Sequence, residues 1–436
     1  MIQVESIFSG GSSSGEPLDP VEVYNNTRPS DWLPMPTPAD NEMYLLFHIP
    51  NGFSSLLAFT VTCTGNYTVA LGTMSGGSFV ASSSVDIASG SKYEAELFAN
   101  DYGDLTSDGM KQVMVKVSGT NIYTLTPSTH SKKTSPSDFA GWNIVEIACR
   151  LPRGTSVACG RNTKNSALKK LRYFAWYGKN AVTDMSSMFN YCYSLTAIPQ
   201  MDTSAVTTMS GTFGSCRSLT AIPQMDTSAV TDMNYMFNYC YSLTAIPQMD
   251  TSAVTTMRSM FGVCHSLTAI PQMNTSAVKD MRSMFSNCYS LTAIPQMDTS
   301  AVKGMDYMFS ECYSLTAIPQ MDTSAVILMN SMFNSCSSLT AIPQMNTSAV
   351  TDMNYMFNEC NSLTAIAFNS SATGWAGYAI SLKDCSLSHA AIVAFFNSLP
   401  TITSAKAITL TGNPGVPELT DAEKAIATGK GWTLTL

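Results

Sequence analysis

The sequence predicts an α+β protein built in three parts. An all-β sandwich or jelly-roll-like domain comes first, then a solenoid of 24-residue coils, then an α/β unit that caps the solenoid. Three observations predict this. Cysteines fall at Cys192, Cys216, Cys240, Cys264, Cys288, Cys312, Cys336 and Cys360, 24 residues apart every time, and a fixed period of that size marks stacked repeats. Upstream of the repeats, β-branched and aromatic runs alternate with Gly, Asn, Asp and Ser breaks. Beyond them the period stops, and helix and strand patterns of ordinary length return.

Residues 1–20 are rich in Gly and Ser and read as a flexible segment. Residues 21–165 read as the β domain. Its strand candidates are Glu42–Ile49, Leu56–Cys63, Tyr67–Leu71, Tyr93–Phe98, Gln112–Val117 and Ile144–Leu151, and strands of this kind between turn signals suggest a sandwich or jelly roll.

Residues 166–370 are the solenoid, and one unit reads AVTDMNYMFNYCYSLTAIPQMDTS. Val230, Met233, Phe237 and Cys240 fall at i, i+3, i+7 and i+10, with Met236 beside them, the stripe of a short helix facing a core. Asp226, Thr227 and Ser228 supply oxygens for a turn and a helix N-cap. Leu243 and Ile246 point inward from a short extended segment that Pro247 ends. Each coil is therefore expected to hold one strand, one turn and one short helix. The first coil departs from the unit: Leu171, Phe174 and Val182 keep the pattern, while Trp176, Tyr177 and Gly178 do not, as a terminal coil with one neighbour requires. The pattern breaks at Ala367. Residues 371–436 read as a cap: a helix over Ser388–Leu399, a strand over Ala407–Leu410, a helix opened by the capping pair Thr420 and Glu423, and a last strand over Trp432–Leu436.

Composition narrows the function. Charged residues make up only 12% of the chain and the net charge is −8, which argues against nucleic acid as the partner. The basic cluster Lys169, Lys170 and Arg172 reads as a solvated edge. No apolar run is long enough to span a membrane, so no membrane insertion is expected. The N-terminal residues lack the pattern of a secretory signal.

The run Met-Phe-x-x-Cys-x-Ser-Leu-Thr-x-Ile-Pro, followed by Asp-Thr-Ser-x-Val-x-x-Met, resembles the BspA-like class of bacterial leucine-rich-repeat surface proteins. The resemblance covers about 200 residues. It implies a right-handed solenoid, a role in adhesion or binding, and no catalytic residues. The N-terminal region and the stretch beginning at Gly412-Asn413-Pro414-Gly415 look similar to tail-fibre-type proteins of phages and prophages of gut bacteria.

Several residue sets invite chemistry. The cysteine column invites disulfides or zinc, but stacked side chains point the same way and no Cys-x-x-Cys pair exists, so buried thiols are expected. The column Asp202, Asp226, Asp250, Asp298 and Asp322 invites calcium, yet Asn274 and Asn346 share it. A turn needs only an acceptor, whereas a calcium row would lose charge at each exchange. His48, His130, His265 and His389 sit in no catalytic spacing, and His265 falls at a solvent position of its coil. Ala427–Gly431 lacks the remaining residues of a P-loop. Glu94, Glu96, Asp101 and Asp104 are carboxylates near one another in the β domain, and solvated loop acids are the simpler reading. No cofactor, metal or catalytic residue is expected.

The strongest candidate site lies in the repeats. Variation between copies concentrates on the solvent side of the helical stripe and just after the cysteine. Those positions hold Tyr191, Tyr193, Arg217, Tyr235, Tyr239, Tyr241, Arg258, His265, Arg282, Tyr289, Tyr307, Tyr313 and Tyr355. Tyr and Arg carry much of the energy at interfaces, and aromatic faces also suit sugar rings. Two readings stay open: a ligand face, or surface drift with tyrosines packing on their neighbours. On the first, the chain is a receptor-binding protein of the phage or prophage tail-fibre type. Its solenoid would contact a bacterial surface protein or glycan, and its N-terminal domain would join virion parts or sister subunits, a homotrimer among them. The rivals are a cell-surface or secreted adhesin, a polysaccharide-degrading virion enzyme, and a structural virion component. The expected place is the virion tail or extracellular space, or the bacterial cell surface.

Overall fold

A computed structural model describes residues 29–103, 105–127, 143–160, 168–198, 201–366 and 379–436. The segment 1–20 that the sequence reads as flexible, Asp104, His130 and the break at Ala367 lie outside the described residues. The chain divides into two compact units, the first comprising residues 1–184, 188–205 and 222–225, and the second the remainder.

The first unit holds eight strands: β1 Glu42–Pro50, β2 Ser54–Ser75, β3 Ser78–Ala88, β4 Lys92–Phe98, β5 Met110–Pro127, β6 Ile144–Arg150, β7 Ser156–Val157 and β8 Tyr173–Trp176. They hydrogen-bond into one sheet ordered β3-β2-β5-β1-β6-β8, with β4 on β2 and β7 on β5. The sequence suggested a sandwich or jelly roll, and the strands hydrogen-bond into one network. The cause is β2, which merges two expected strands, Leu56–Cys63 and Tyr67–Leu71. Its first part pairs with β4 and its second with β3, while β5 runs beside both and the register shifts between Thr62 and Tyr67. Such irregularities let one long strand bend and serve several partners. The sheet centre is dry: Met43, Leu45, Leu46, Phe47 and Ile49 on β1 are fully buried, and since neighbours point to opposite faces, both faces of β1 are covered. On one of them Tyr44, Leu46, Met114 and Val145 pack with Trp32 and Tyr173. At one edge β8 pairs in parallel with β6, and Tyr173 makes a parallel bridge to Ala197 of the first coil.

The second unit carries the coils from the second onward, and here one expectation is corrected. No α-helix forms in them; between Trp176 and Ile380 the described residues contain none. The inward stripe is as read, since Val230, Met233, Met236, Phe237 and Cys240 are all fully buried. The backbone beneath it alternates. Met233, Tyr235, Phe237 and Tyr239 donate their N–H to Thr256, Arg258, Met260 and Gly262 of the next coil, at 3.2, 2.8, 2.9 and 2.8 Å. Between them, Met236, Asn238 and Cys240 donate three residues back, to Met233, Tyr235 and Phe237. Tyr235 and Tyr239 have φ of 56° and 62°. A helix needs right-handed φ throughout and every donor turned four residues back; half of these donors leave the coil, and every fourth residue is left-handed.

Side chains add further ladders. Phe213, Phe237, Phe261, Phe285, Phe309, Phe333 and Phe357 stack with successive centroids 5.5–5.7 Å apart and interplanar angles of 5–7°, within the range of offset aromatic stacking. The cysteines are free and buried, and the thiol of Cys288 donates to the carbonyl of Phe261 at 3.1 Å, as Cys240, Cys264, Cys312, Cys336 and Cys360 do to theirs. Burial pushes these thiols up, Cys288 to about 12. Buried Thr251 donates to the carbonyl of Asn274, and Gln248 to that of Gln272. The Asp/Asn column closes turns: Asp226 Oδ1 accepts from the N–H of Ser228 at 3.0 Å and its hydroxyl at 2.7 Å, and Asn274 does the same for Ser276. The turn role is as the sequence implied; the helix N-cap role is not, because no helix follows.

The C-terminal residues form β9 Ile380–Ser381, α1 His389–Ser398, β10 Lys406–Thr409, α2 Asp421–Thr428 and β11 Trp432–Thr435, with the strands parallel in the order β11-β10-β9. Thr420 and Glu423 form the expected capping box. Glu359 of the last coil donates its N–H to Lys383, and the thiol of Cys385 donates to Phe357, so the ladder runs on past the last 24-residue period.

Truncating one ring of the Phe stack leaves a cavity that the coils on either side cannot close. Phe285→Ala should lower the free energy of unfolding by about 3–5 kcal/mol, measured by urea denaturation. The solenoid thiols should stay inert to an aromatic disulfide reagent at pH 8 and react together once the chain unfolds.

Candidate recognition face

Comparing the coils with one another separates two kinds of exposed position. Thr244, Ala245, Gln248 and Ser252 are exposed, and their counterparts in the fourth to seventh coils are the same residues. Residues 231, 232, 234, 235, 238, 239 and 241 are also exposed or half-buried, and their counterparts change from coil to coil. Hydrogen-bonded ladders account for the constancy of Thr and Gln, but not for exposed Ala245, Ala269, Ala293 and Ala317. Drift at solvent positions would touch both sets. Variation is confined to one.

The tyrosines occupy the positions where the backbone is least hospitable. Tyr235, Tyr307 and Tyr355 share one left-handed column, and Tyr191 and Tyr239 the other, with φ of 55–64°. A left-handed residue other than Gly costs ~1–2 kcal/mol. Gly211 fills the same place in the second coil and Asn287 the same place in the fifth, so nothing in the backbone asks for tyrosine. In the second unit Tyr235, Tyr239, Tyr307 and Tyr355 are exposed by 39%, 43%, 44% and 61%.

The column after the cysteine is organised differently. Arg217 lies over Tyr241 at 5.3 Å. From there Tyr241, His265, Tyr289 and Tyr313 stack face to face with centroids 4.7, 4.3 and 4.9 Å apart. His265, expected at a solvent position, is instead half-buried between two rings, and its Nε2 is buried without a hydrogen-bond partner. Burial holds its pKa below the ordinary value, against the opposing pull of Glu311. The Tyr313 hydroxyl donates to Glu311 at 3.0 Å. Tyr239 meets the edge of Tyr241, and Arg258 covers the face of Tyr235 at 5.8 Å.

Arg282 is fixed by Asp280, whose carboxylate takes Nε at 2.9 and 3.1 Å and Nη2 at 2.5 Å. Its stem lies where a Cβ on Gly304 would sit, 3.0 Å from Cγ. Asp280 and Gly304 were missed in the sequence, although the Asp-x-Arg spacing and the only glycine in its column were visible there. Tyr191 and Tyr193 lie in the first unit, edge to face at 6.2 Å, with Lys169 over Tyr193 at 5.9 Å. Of the described carboxylates of the β domain, Glu94 pairs with Lys92 at 2.7 Å and Glu96 accepts from Ser54 at 2.8 Å. No cluster of three or more metal-ligating side chains occurs among the described residues.

The repeats match the family described as "Mycoplasma protein of unknown function, DUF285" over residues 163–268, 218–315, 242–339 and 314–385, together just over half of the chain. No curated protein sequence matches. Among solved structures, the chain resembles a leucine-rich-repeat protein of T. pallidum at 18% identity and a TM-score of 0.33, over 45% of this chain and 84% of that one. A leucine-rich-repeat protein of Eubacterium ventriosum matches at 16% and 0.23, over 55% and 90%. The functional domain of InlJ of Listeria monocytogenes, whose structure includes a cysteine ladder, matches at 12% and 0.24, over 62% and 51%. TM-scores this low carry no functional inference.

Replacing Tyr239 and Tyr355 by Asn, which tolerates the left-handed region, should leave the unfolding midpoint unchanged or raised, whereas Tyr289→Ala should lower it by removing a ring from the middle of the stack. For His265 the folded state resists protonation, so stability is full above the unfolded pKa near 6.5 and falls as pH drops through it. His265→Phe should remove that part of the acid sensitivity in melts at pH 5 and pH 8.

Proposed function

The chain belongs to the DUF285 repeat family, and from that premise we propose that it is a non-catalytic recognition protein, a leucine-rich-repeat solenoid whose varied face binds a bacterial envelope component. One observation carries this: two solvent-facing surfaces of the same coils differ, one constant but for the Asp and Asn that interchange in its turn and one diversified, and the diversified one bears tyrosines at positions that penalise them. Tyr and Arg are the residues that dominate interface energetics, and a bidentate partner holds Arg282 in place before binding, which lowers the ordering cost.

The state of the rings supports a protein surface over a glycan. Sugar stacking needs a bare ring face. Tyr241 and Tyr289 have both faces engaged by Arg217, His265 and Tyr313, and Tyr235 lies beneath Arg258, so these rings offer edges and hydroxyls. The finer setting we propose is a tail-fibre-type receptor-binding protein of a phage or prophage, with the N-terminal domain of residues 21–165 attaching to sister chains or particle parts. The BspA-like character of the repeats supports the second setting, an adhesin at the bacterial cell surface.

Labelled full-length protein should bind whole cells or envelope preparations of a gut bacterium. The variant with Tyr235, Tyr239, Tyr307 and Tyr355 all changed to Asn should bind at least tenfold more weakly with an unchanged melting curve, while Ala269→Ser and Ala293→Ser on the constant face should bind as the parent does. Equal binding by the Asn variant would sink the proposed face, and binding destroyed by treating cells with glycosidase but not protease would replace the protein partner with a glycan.

A further inference from the structure

β3 is unlike every other strand of the first unit. It runs eleven residues, Ser78–Ala88, and all but Phe79 and Ile87 are exposed. One edge pairs antiparallel with β2; among the described residues no strand pairs with the other edge. The cover over the sheet stops one strand short, since Tyr67 and Val69 on β2 are buried while Val85, opposite Val69, is 43% exposed and Val80 49% exposed.

Edge strands of natural proteins are protected by shortness, by lysine or proline, by burial, or by bulges. β3 is long and contains no Lys, Arg or Pro. Its single irregularity is a register shift opposite Leu71 and Gly72. Its one ionisable group, Asp86, already accepts from the hydroxyl of Thr68 at 2.6 Å. Side chains such as Val80, Val85 and Ile87 leave apolar surface in solvent along a row of free backbone donors and acceptors.

We propose that β3 is a self-association edge, which pairs antiparallel with β3 of a second copy of this chain about a two-fold axis near the strand's middle, between Ser82 and Ser83. The strand's own pattern singles out a second copy. The register shift puts Val80, Val85 and Ile87 on one face of the sheet and Phe79, Ala81 and Asp86 on the other, so with the axis between Ser82 and Ser83, Val80 falls opposite Val85, Ala81 opposite Ser84 and Phe79 opposite Asp86; each pair shares a face and no like charges face one another. A strand with one already-engaged charge carries nothing that would select a charged partner. An isologous contact of this kind closes at two chains. The inference deepens the attachment reading of the N-terminal domain and is independent of the recognition face, whose variants leave β3 untouched.

The test uses the full chain. Its mass by analytical ultracentrifugation should rise from one to two chains with concentration. Val80→Lys with Val85→Lys, both at exposed positions, should stay at one chain with an unchanged melting curve. Cysteines introduced singly from Val80 to Asp86 should give a homodimeric disulfide fastest at Ser82 and Ser83, because only residues beside the axis meet their own copies within bridging distance; the native cysteines are buried and serve as the silent background. A chain that stays monomeric throughout overturns the proposal, and so does an oligomer unaffected by the lysines. So does concentration-independent amide protection on β3 in a monomer, which assigns the edge to residues of the same chain. Loss of cell binding in the tyrosine variants bears on none of these outcomes.

Discussion

The solenoid depends on how its backbone divides its N–H groups. Along 235–240, alternate donors go to the next coil and to a carbonyl three residues back. The first set holds coil to coil, and the second folds each coil tightly enough that one side chain in two or three points inward. Neither set alone would suffice: turns without the ladder would leave single coils unable to bury their apolar stripe, and a ladder without the turns would be an extended strand. The left-handed residues are the cost of switching direction every second residue. The stacking of Phe213 through Phe357 follows, because a coil-to-coil ladder brings each ring over its counterpart, and the cysteine thiols then find the carbonyl of the preceding coil's phenylalanine.

This division also sets which surface is free to vary. On the constant side the polar side chains are structural: Thr251 and Gln248 donate to the next coil, and the Asp or Asn closes the turn onto Ser. Changing any of them orphans a buried or ladder group, at a cost of the order of 1–3 kcal/mol. On the other side the backbone of the left-handed columns satisfies itself, so the side chains at 235 and 239 owe little to the fold. Gly, Ser, Tyr, Val, Asn and Glu all occupy the left-handed columns. A frame that saturates its own hydrogen bonds supplies a row of positions whose identities only a partner constrains. The tyrosines in them stand against a local conformational penalty, which drift would relieve.

The period, the inward columns, the Asp and Asn turns and the C-terminal elements were legible because each rests on local pattern: spacing for the columns, a side-chain acceptor two residues before Ser for the turn, Thr420 and Glu423 for the capping box. The helix was misread for the same reason. Val230, Met233, Phe237 and Cys240 have helical spacing, and a stack of tight turns produces it too. The signal that would have separated them is Gly or Asn at every fourth residue, and Tyr235 and Tyr239 hide it. Spacing named the variable tyrosines and arginines but passed over Asp280 and Gly304, and it did not give their arrangement. Spacing shows that Tyr241, His265 and Tyr289 share a column; only the ladder geometry shows that their rings cover one another. In the β domain most strands were legible and their order was not, because β1 sits between β5 and β6, pairings made across long stretches of chain. β3 was missed outright, since its serines and exposed face carry no alternation.

That omission follows from what marks a strand in sequence. Alternation records one covered face, and a strand with neither face covered leaves no trace. Several other strand ends among the described residues are dealt with by the chain itself. β8 is bridged by the first coil through Tyr173 and Ala197, and the last coil passes its ladder on to Lys383 and Cys385. β11, at the edge of the C-terminal sheet, is only four residues long, too short to template much pairing. Solenoid and sheet edges carry the same hazard of unpaired donors and acceptors, and a chain that closes or shortens several of them while, among the described residues, no strand covers an eleven-residue edge has not met a general difficulty in closing edges. The charge pattern agrees. Lysines appear on β4 and β5 at Lys92 and Lys116, each paired with a glutamate, while the strand where a lysine would protect has none.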